Sequence, residues 1–267
     1  MADKDQDRTE KAITRRGLLK AAGVVAVSGI VGGAFTTNGR TLLLAQEAAG
    51  GASEGVDKLT GKTIALPAPQ LKSAVSVEEA IAARRSRREY QAQHISLQQL
   101  GQLLWCAQGV TKREGKFAFR AAPSAGALYP MDIFAVLPGG VYRYKPHDHE
   151  LEQIVPNDRR KQLKAACVDQ KMVTAASVNL VITANYEVCA RKYGNNADDA
   201  HGRKRGESAE RYCIIESGCI SENIHIQCET LKLGTVLIGA FEDAKVIEAA
   251  SLPAKCRPLL VMPVGPA

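Results

Sequence analysis

The 267-residue chain is 45% hydrophobic and 24% charged, the composition of a globular protein with a full core. Its net charge is +7, but residues 1–45 carry seven basic against four acidic side chains, which leaves about +4 for the remainder. That balance, with aromatics at 5%, excludes the concentrated basic face of a duplex binder and the stacking platform of a single-strand binder.

In chain order, Thr14-Arg15-Arg16-Gly17-Leu18-Leu19-Lys20 precedes an uncharged, apolar run from Ala21 to Phe35. A charged stretch followed by a short apolar core has the form of a secretory signal, and about 15 residues is short for a membrane span. The paired arginines resemble the twin-arginine export signal, with Leu18 where that family prefers Phe. The resemblance implies passage through the twin-arginine translocase and a periplasmic or otherwise exported protein. The alternative is an N-terminal membrane anchor. Residues 1–45 are therefore expected to be a signal, residues 46–73, with Gly50-Gly51 and Pro67-Ala68-Pro69, a linker, and residues 74–267 one domain. The seven cysteines (106, 167, 189, 213, 219, 228, 256) include no Cys-x-x-Cys pair and read mostly as small buried hydrophobes; no metal site is expected.

Ser76 and Glu79 form a capping box that opens a helix, and that helix delivers Arg84-Arg85-Ser86-Arg87-Arg88. If the chain is extended there, Arg84, Ser86 and Arg88 point to one side, because extended side chains alternate. Two guanidinium forks and a hydroxyl on one side match a phosphate. The bland alternative is a solvated basic face. Ser96 caps a second helix, Leu97 to Ala107, closed by Gln108-Gly109. Pro123-Ser124-Ala125-Gly126-Ala127-Leu128-Tyr129-Pro130 is a loop of small residues whose backbone can approach a planar ligand.

Met131 to Leu137, Val141 to Tyr144 and Leu151 to Val155 read as a strand meander, with His147-Asp148-His149 as solvated turn residues between them. Asp158 to Val168 reads as helix and Ser177 to Ala184 as a buried strand. Asn195 to Gly206 is a polar, Gly- and Asn-rich surface insertion. Ser208 to Lys232 has the length of a long helix, with Gly218 and Ser221 allowing close packing. Leu233 to Phe241 reads as a strand, Glu242 to Ala250 as a helix and Pro258 to Val264 as the last strand.

The arginine element about 35 residues before Pro-Ser-Ala-Gly-Ala-Leu-Tyr-Pro resembles the FMN-dependent nitroreductase superfamily, in its SagB and thiazole/oxazole oxidase branch. The resemblance runs from about Val75 to Gly265. It implies an α+β fold with a mixed, mainly antiparallel sheet flanked by helices, and a long central helix at the interface of a homodimer. It implies FMN as cofactor and hydride transfer through the flavin N5. Arg84, Ser86 and Arg88 would hold the phosphate, Arg85 would lie near the ring and ribityl, and Pro123, Ser124, Ala125 and Gly126 would line the flavin. Glu222-Asn223 stands where the family has Gln-Asn, which makes Asn223 a cofactor residue. Gly239 and Ala240 belong to the family's Gly-Ala-Phe strand, with backbone N–H groups aimed at N5, where charge builds on reduction. Lys192-Tyr193 matches the proton-transfer pair of the branch's azoline dehydrogenases; chemically, a lysine and a phenol can move protons beside a flavin, and the alternative is a surface dipeptide in a mobile loop. The expected activity is that of an exported dehydrogenase acting on a small molecule or peptide. The alternatives are a nitro or quinone reductase and, from another class, a flavin-binding domain without turnover.

Overall fold

The computed structural model describes residues 54–193 and 207–267. The expected signal, the first part of the linker and the whole of the Asn195–Gly206 insertion lie outside the described residues.

Among the described residues nine strands follow in chain order: β1 (Thr63–Ala65), β2 (Val110–Glu114), β3 (Phe117–Arg120), β4 (Met131–Leu137), β5 (Gly140–Lys145), β6 (Glu150–Val155), β7 (Val178–Ala184), β8 (Leu233–Thr235) and β9 (Arg257–Pro266). The helices are α1 (Val77–Ala83), α2 (Leu97–Gln108), α3 (Arg160–Ala166), α4 (Met172–Ala175), α5 (Tyr186–Tyr193), α6 (Glu207–Thr230) and α7 (Asp243–Ala250). Seven strands make one sheet in the order β1-β6-β5-β4-β7-β9-β8, and β2-β3 form a separate hairpin. Every pairing in the large sheet is antiparallel. The expected α+β architecture, a mainly antiparallel sheet flanked by helices, is what is found.

The alternation of side chains along β4 divides the core into two layers. Ile133, Ala135 and Leu137 pack with Leu100, Leu103 and Leu104 of α2 and Ile220 and Ile224 of α6. Phe134 and Val136 face the opposite way, toward Leu163 of α3 and Val246 and Ala249 of α7. With both faces covered, β7 is buried throughout, which is why Val178–Ala184 reads as a continuous apolar run rather than an alternating one. Each fully buried Leu or Phe in these layers contributes about 1.5–3 kcal/mol relative to exposure.

Helices α1 and α2 begin at full capping boxes, Ser76 with Glu79 and Ser96 with Gln99. α6 is 24 residues long, about 36 Å at 1.5 Å per residue, and lies against α2 and α5. Ile214 and Ile215 on its outer side are 52% and 57% exposed.

Three expectations need correction. The linker expected at 46–73 is in part built into the body. Thr63–Ala65 pairs with β6, and Val56, Leu59 and Leu66 are buried in the core, so spaced apolar residues outweigh the Gly and Pro around them. The strand expected from Leu233 to Phe241 is ordered as β8 only to Thr235, with a single bridge between Ile238 and Val261 beyond it. There the chain leaves the sheet for the α3–α4 layer, where Ala240 O accepts from Gln170 Nε2 at 3.3 Å and Glu242 N–H donates to Ala166 O at 2.9 Å. His149 is not a solvated turn residue. Its ring is half-buried, with Nδ1 2.8 Å from the Tyr144 hydroxyl and Nε2 3.0 Å from the Pro67 carbonyl, which ties the chain before α1 to the meander.

Candidate active site

The arginine segment leaves α1 at Arg84, whose ψ of 121° ends the helix, and runs on without helical structure to Tyr90. Its backbone is pinned to the sheet edge: Arg87 N–H donates to Thr235 O at 2.9 Å and Gln91 N–H to Pro266 O at 3.0 Å. The two sides of this extended piece differ. Arg87 forms an ion pair with Glu229, near the C-terminal end of α6, and Arg85 N–H donates to the same carboxylate at 3.4 Å. Arg84, Ser86 and Arg88 make no side-chain hydrogen bond or ion pair among the described residues, and Ser86 and Arg88 are exposed. The Arg85 guanidinium folds back onto the carbonyls of Ala82 and Arg84. Sequence reasoning missed Glu229, the residue that fixes which side of the segment faces inward.

The loop after β3 is wired inward. Tyr129 N–H donates to Ser124 Oγ at 2.8 Å, and Arg120 N–H donates to the Tyr129 hydroxyl at 3.1 Å. The Arg120 guanidinium stacks over the Tyr129 ring at 4.8 Å and donates to Gln108 Oε1 at 2.9 Å. Gln108 Nε2 in turn donates to Glu216 on α6 at 3.2 Å. Glu216 is 3% exposed and has no ion-pair partner among the described residues, and this desolvation pushes its carboxyl up to about 7. These bonds hold a backbone with positive φ at Gly126 (61°), Ala127 (53°) and Tyr129 (50°). Two of the three are not glycine, and such residues typically cost about 1–3 kcal/mol each. Pro123 and Gly126 face outward, while Ser124 and Ala125 are half-buried, so the Ser124 side chain serves the loop rather than its outer face.

Lys192 and Tyr193 end α5 and come directly to this loop. A Cβ built on Gly126 would stand 2.5 Å from Lys192 Nζ and 2.7 Å from the Tyr193 hydroxyl, so a larger residue there would displace the ends of both side chains. The Tyr193 ring packs on Tyr212 of α6 with centroids 4.8 Å apart. Two sequence elements more than sixty residues apart thus meet at one point.

Asn223 sits midway along α6, where its Nδ2 donates to Cys106 O at 3.0 Å. With Trp105, Gln102 and Lys72 it lines a cavity of about 770 Å³ beside α1. Glu216 and Asn223 lie seven residues, about two turns, apart and so share one side of α6, while Glu229, six residues further on, points roughly 120° away from them. Gly239 and Ala240 are exposed, their amides take no hydrogen bond among the described residues, and a Cβ on Gly239 would meet nothing within 4 Å.

The structure therefore brings Pro123–Gly126 together with Lys192 and Tyr193 at one end of α6, and places Arg84, Ser86 and Arg88 near the other. About 20 Å of helix separates Glu216 from Glu229. Glu216 itself was legible in principle: it falls three residues after Cys213 and four before Ile220, on the apolar stripe of α6, where an acid is out of place.

Comparison with known proteins agrees with this architecture. The family model described as "Nitroreductase family" matches residues 81–266. A Methanocaldococcus jannaschii protein that carries a nitroreductase name is 35% identical over 211 residues, 77% of this chain and 98% of the relative. A Ralstonia eutropha crystal structure, also named for a nitroreductase, superposes with a TM-score of 0.67 at 28% identity, over 81% of this chain and 93% of that one. The NADPH:FMN oxidoreductase of Vibrio harveyi shares the fold at a TM-score of 0.51 and 22% identity, over 71% and 68% of the two chains. The chain belongs to the nitroreductase family and is an oxidoreductase.

Proposed function

We propose that this protein is an FMN-dependent dehydrogenase of the SagB type, which oxidises a C–N bond of a small-molecule or peptide substrate with Lys192 and Tyr193 as its proton-transfer pair. The observation that carries the reading is the convergence of Lys192 Nζ and the Tyr193 hydroxyl on Gly126.

The residues present fit a flavin mononucleotide. Arg84, Ser86 and Arg88 have donors that the described protein leaves unspent, as a phosphate site requires. Gly239 offers a close approach, and the amides of Gly239 and Ala240 are free to face a ring edge. Gly126 lets a planar group lie against the loop without a side chain in the way. Bound there, a flavin supplies the reversible two-electron chemistry that no side chain offers. The protein's part is to orient, to exclude water and to move the proton. Lys192 and Tyr193 would take a proton from the substrate atom next to the bond being oxidised, the phenol relaying and the amine receiving.

Nitroreductase-family members are commonly homodimers, and we infer the same here. A long exposed face of α6 carries Ile214, Ile215 and Gly218, and a Cβ on Gly218 would meet nothing within 4 Å. A second copy would also bring its Ser124 loop toward the arginines of the first, which answers the separation of the two clusters within one chain. Arg15-Arg16 and the apolar run behind them support export through the twin-arginine translocase.

The nitroreductase name of the 35%-identical relative favours a second reading, a reductase of nitro compounds or quinones. Protein purified from its native compartment should be yellow and release FMN on denaturation; a colourless protein that cannot be reconstituted overturns the cofactor. Lys192→Ala decides between the two activities. Loss of substrate oxidation with flavin retained supports the dehydrogenase, and unchanged turnover removes the pair from the mechanism.

A further inference from the structure

We propose that Cys189 of α5 and Cys213 of α6 are a disulfide site, and that two-electron oxidation of the pair staples α5, with Lys192 and Tyr193 at its end, onto α6. The proposal goes beyond the flavin reading and stands without it.

α5 is eight residues long, too short to be stable by itself, and Cys189 is its single buried residue. Besides the partial burial of Tyr186 and Ala190, it is held by the Tyr193 ring on Tyr212 and by Cys189 against Cys213. The two sulfurs stand 3.8 Å apart, the Cys213 thiol donating to Cys189 Sγ, and the residues are 1% and 0% exposed. No other two sulfurs make such a hydrogen-bonded contact among the described residues. The Cys106 and Cys256 thiols donate to oxygen instead, at Leu103 O and the Asp132 carboxylate. A disulfide needs its sulfurs about 2.05 Å apart, so roughly 1.8 Å of approach remains, a movement of the order that side-chain rotation provides.

Burial pushes both thiols above their ordinary range, so the docked pair is inert. A short helix with one buried anchor opens at low cost and admits an oxidant. That oxidant is a small-molecule disulfide such as oxidised glutathione. The thiolate of Cys189, which accepts from Cys213, attacks one sulfur of the oxidant; the oxidant's S–S bond breaks and one thiol leaves. The Cys213 thiolate then attacks the Cys189 sulfur of the mixed disulfide and releases the second thiol. The two protein sulfurs lose two electrons, the oxidant becomes two thiols, and the two protons of the protein thiols go to them. The bond closes a loop between residues 24 apart in sequence, spanning the Asn195–Gly206 insertion, and so removes conformational freedom from the unfolded chain. An oxidising compartment, such as the export signal would reach, preserves such a bond, and a reducing one keeps the thiols.

The test holds the full chain in reduced or in oxidised glutathione, blocks free thiols with N-ethylmaleimide in denaturant, and digests with trypsin for mass spectrometry. After oxidation two of the seven thiols should escape the block. Peptides 172–191 and 212–232 should then travel as one species that reduction splits. The second peptide also holds Cys219 and Cys228, so variants assign the bond: Cys213→Ala should abolish the linked species and Cys219→Ala should keep it. In thermal melts the oxidised chain should unfold about 5–10 °C above the reduced one, a difference absent from Cys213→Ala. A wild-type chain that keeps all its thiols free in oxidised glutathione overturns the proposal, and that count decides even where a variant does not fold. A linked species that survives Cys213→Ala, or an oxidised chain that melts with the reduced one, overturns it equally.

Discussion

The arginine segment and the Ser124 loop flank the same helix and are built on opposite principles. Along Arg84–Arg88 the inward side is fixed by Glu229, and the outward donors are left without partners. In the loop the polar side chains of Ser124 and Tyr129 are satisfied inside the protein, and they hold three left-handed backbone positions together with Arg120. The first region can be lost as a binding site without harm to the fold. In the second, binding surface and fold are the same bonds.

The largest effect should come from breaking the first region. Arg84→Ala with Arg88→Ala removes two charge-assisted contacts to a phosphate, each about 1.5–3 kcal/mol, so FMN affinity should drop about a thousandfold. The melting temperature should hardly move, because neither side chain has a partner in the described protein. Arg87→Ala should behave in the opposite way. It strands Glu229, only 10% exposed, and should destabilise the fold by about 1–3 kcal/mol with a smaller effect on flavin. Thermal melts and flavin fluorescence on the same three proteins check both. A double mutant that purifies fully yellow at moderate salt shows the clamp assignment wrong.

These two regions were also unequally legible in the sequence. The alternation of Arg84, Ser86 and Arg88 depends only on local backbone geometry, so the residue order carries it. The capping boxes at Ser76 and Ser96 are equally local, and the apolar runs of β4 and β7 announce themselves by continuity. What stayed hidden were long-range partners. Nothing near Arg87 in sequence points to Glu229, 142 residues away, and nothing near Gln108 points to Glu216. The β2–β3 hairpin was missed because Val110–Glu114 is mostly exposed, with no buried side to impose a pattern. The end of β8 was missed because Leu-Ile-Gly-Ala-Phe is apolar enough for a strand, yet the chain is drawn off by Gln170 and Ala166.

The second region makes stability depend on pH. Burial raises the Glu216 carboxyl from 4.5 to about 7, so the neutral form is favoured in the folded state. Stability from this group is fully present below pH 4.5 and is lost as pH rises to about 7, by up to roughly 3 kcal/mol. Urea titrations at pH 5 and pH 8 should show that difference in the wild type and most of it abolished in Glu216→Gln. Equal pH dependence in both would place the effect elsewhere.

Gly126→Ala should cost less, about 1–2 kcal/mol, because alanine at a φ of 61° is strained but Ala127 already adopts such a backbone next to it. Its sharper consequence is steric. The new methyl group lies where Lys192 Nζ and the Tyr193 hydroxyl now reach, so both must move. Substrate oxidation should fall at least tenfold while flavin binding changes little. If activity survives intact, the convergence on Gly126 is packing and the proton-transfer pair must be sought elsewhere.

Gly239→Ala should have the smallest effect on the fold and is for that reason the most selective probe. Its Cβ would meet nothing within 4 Å and Gly239 has no positive φ, so stability should stay within about 0.5 kcal/mol. If Gly239 and Ala240 form the ring-facing edge of the flavin site, the methyl enters the space the ring would occupy. FMN affinity should then weaken by about tenfold in a protein whose melting curve is unchanged. A Gly239→Ala protein that binds FMN as tightly as wild type would put the ring elsewhere and leave the flavin site resting on the arginines and the Ser124 loop alone.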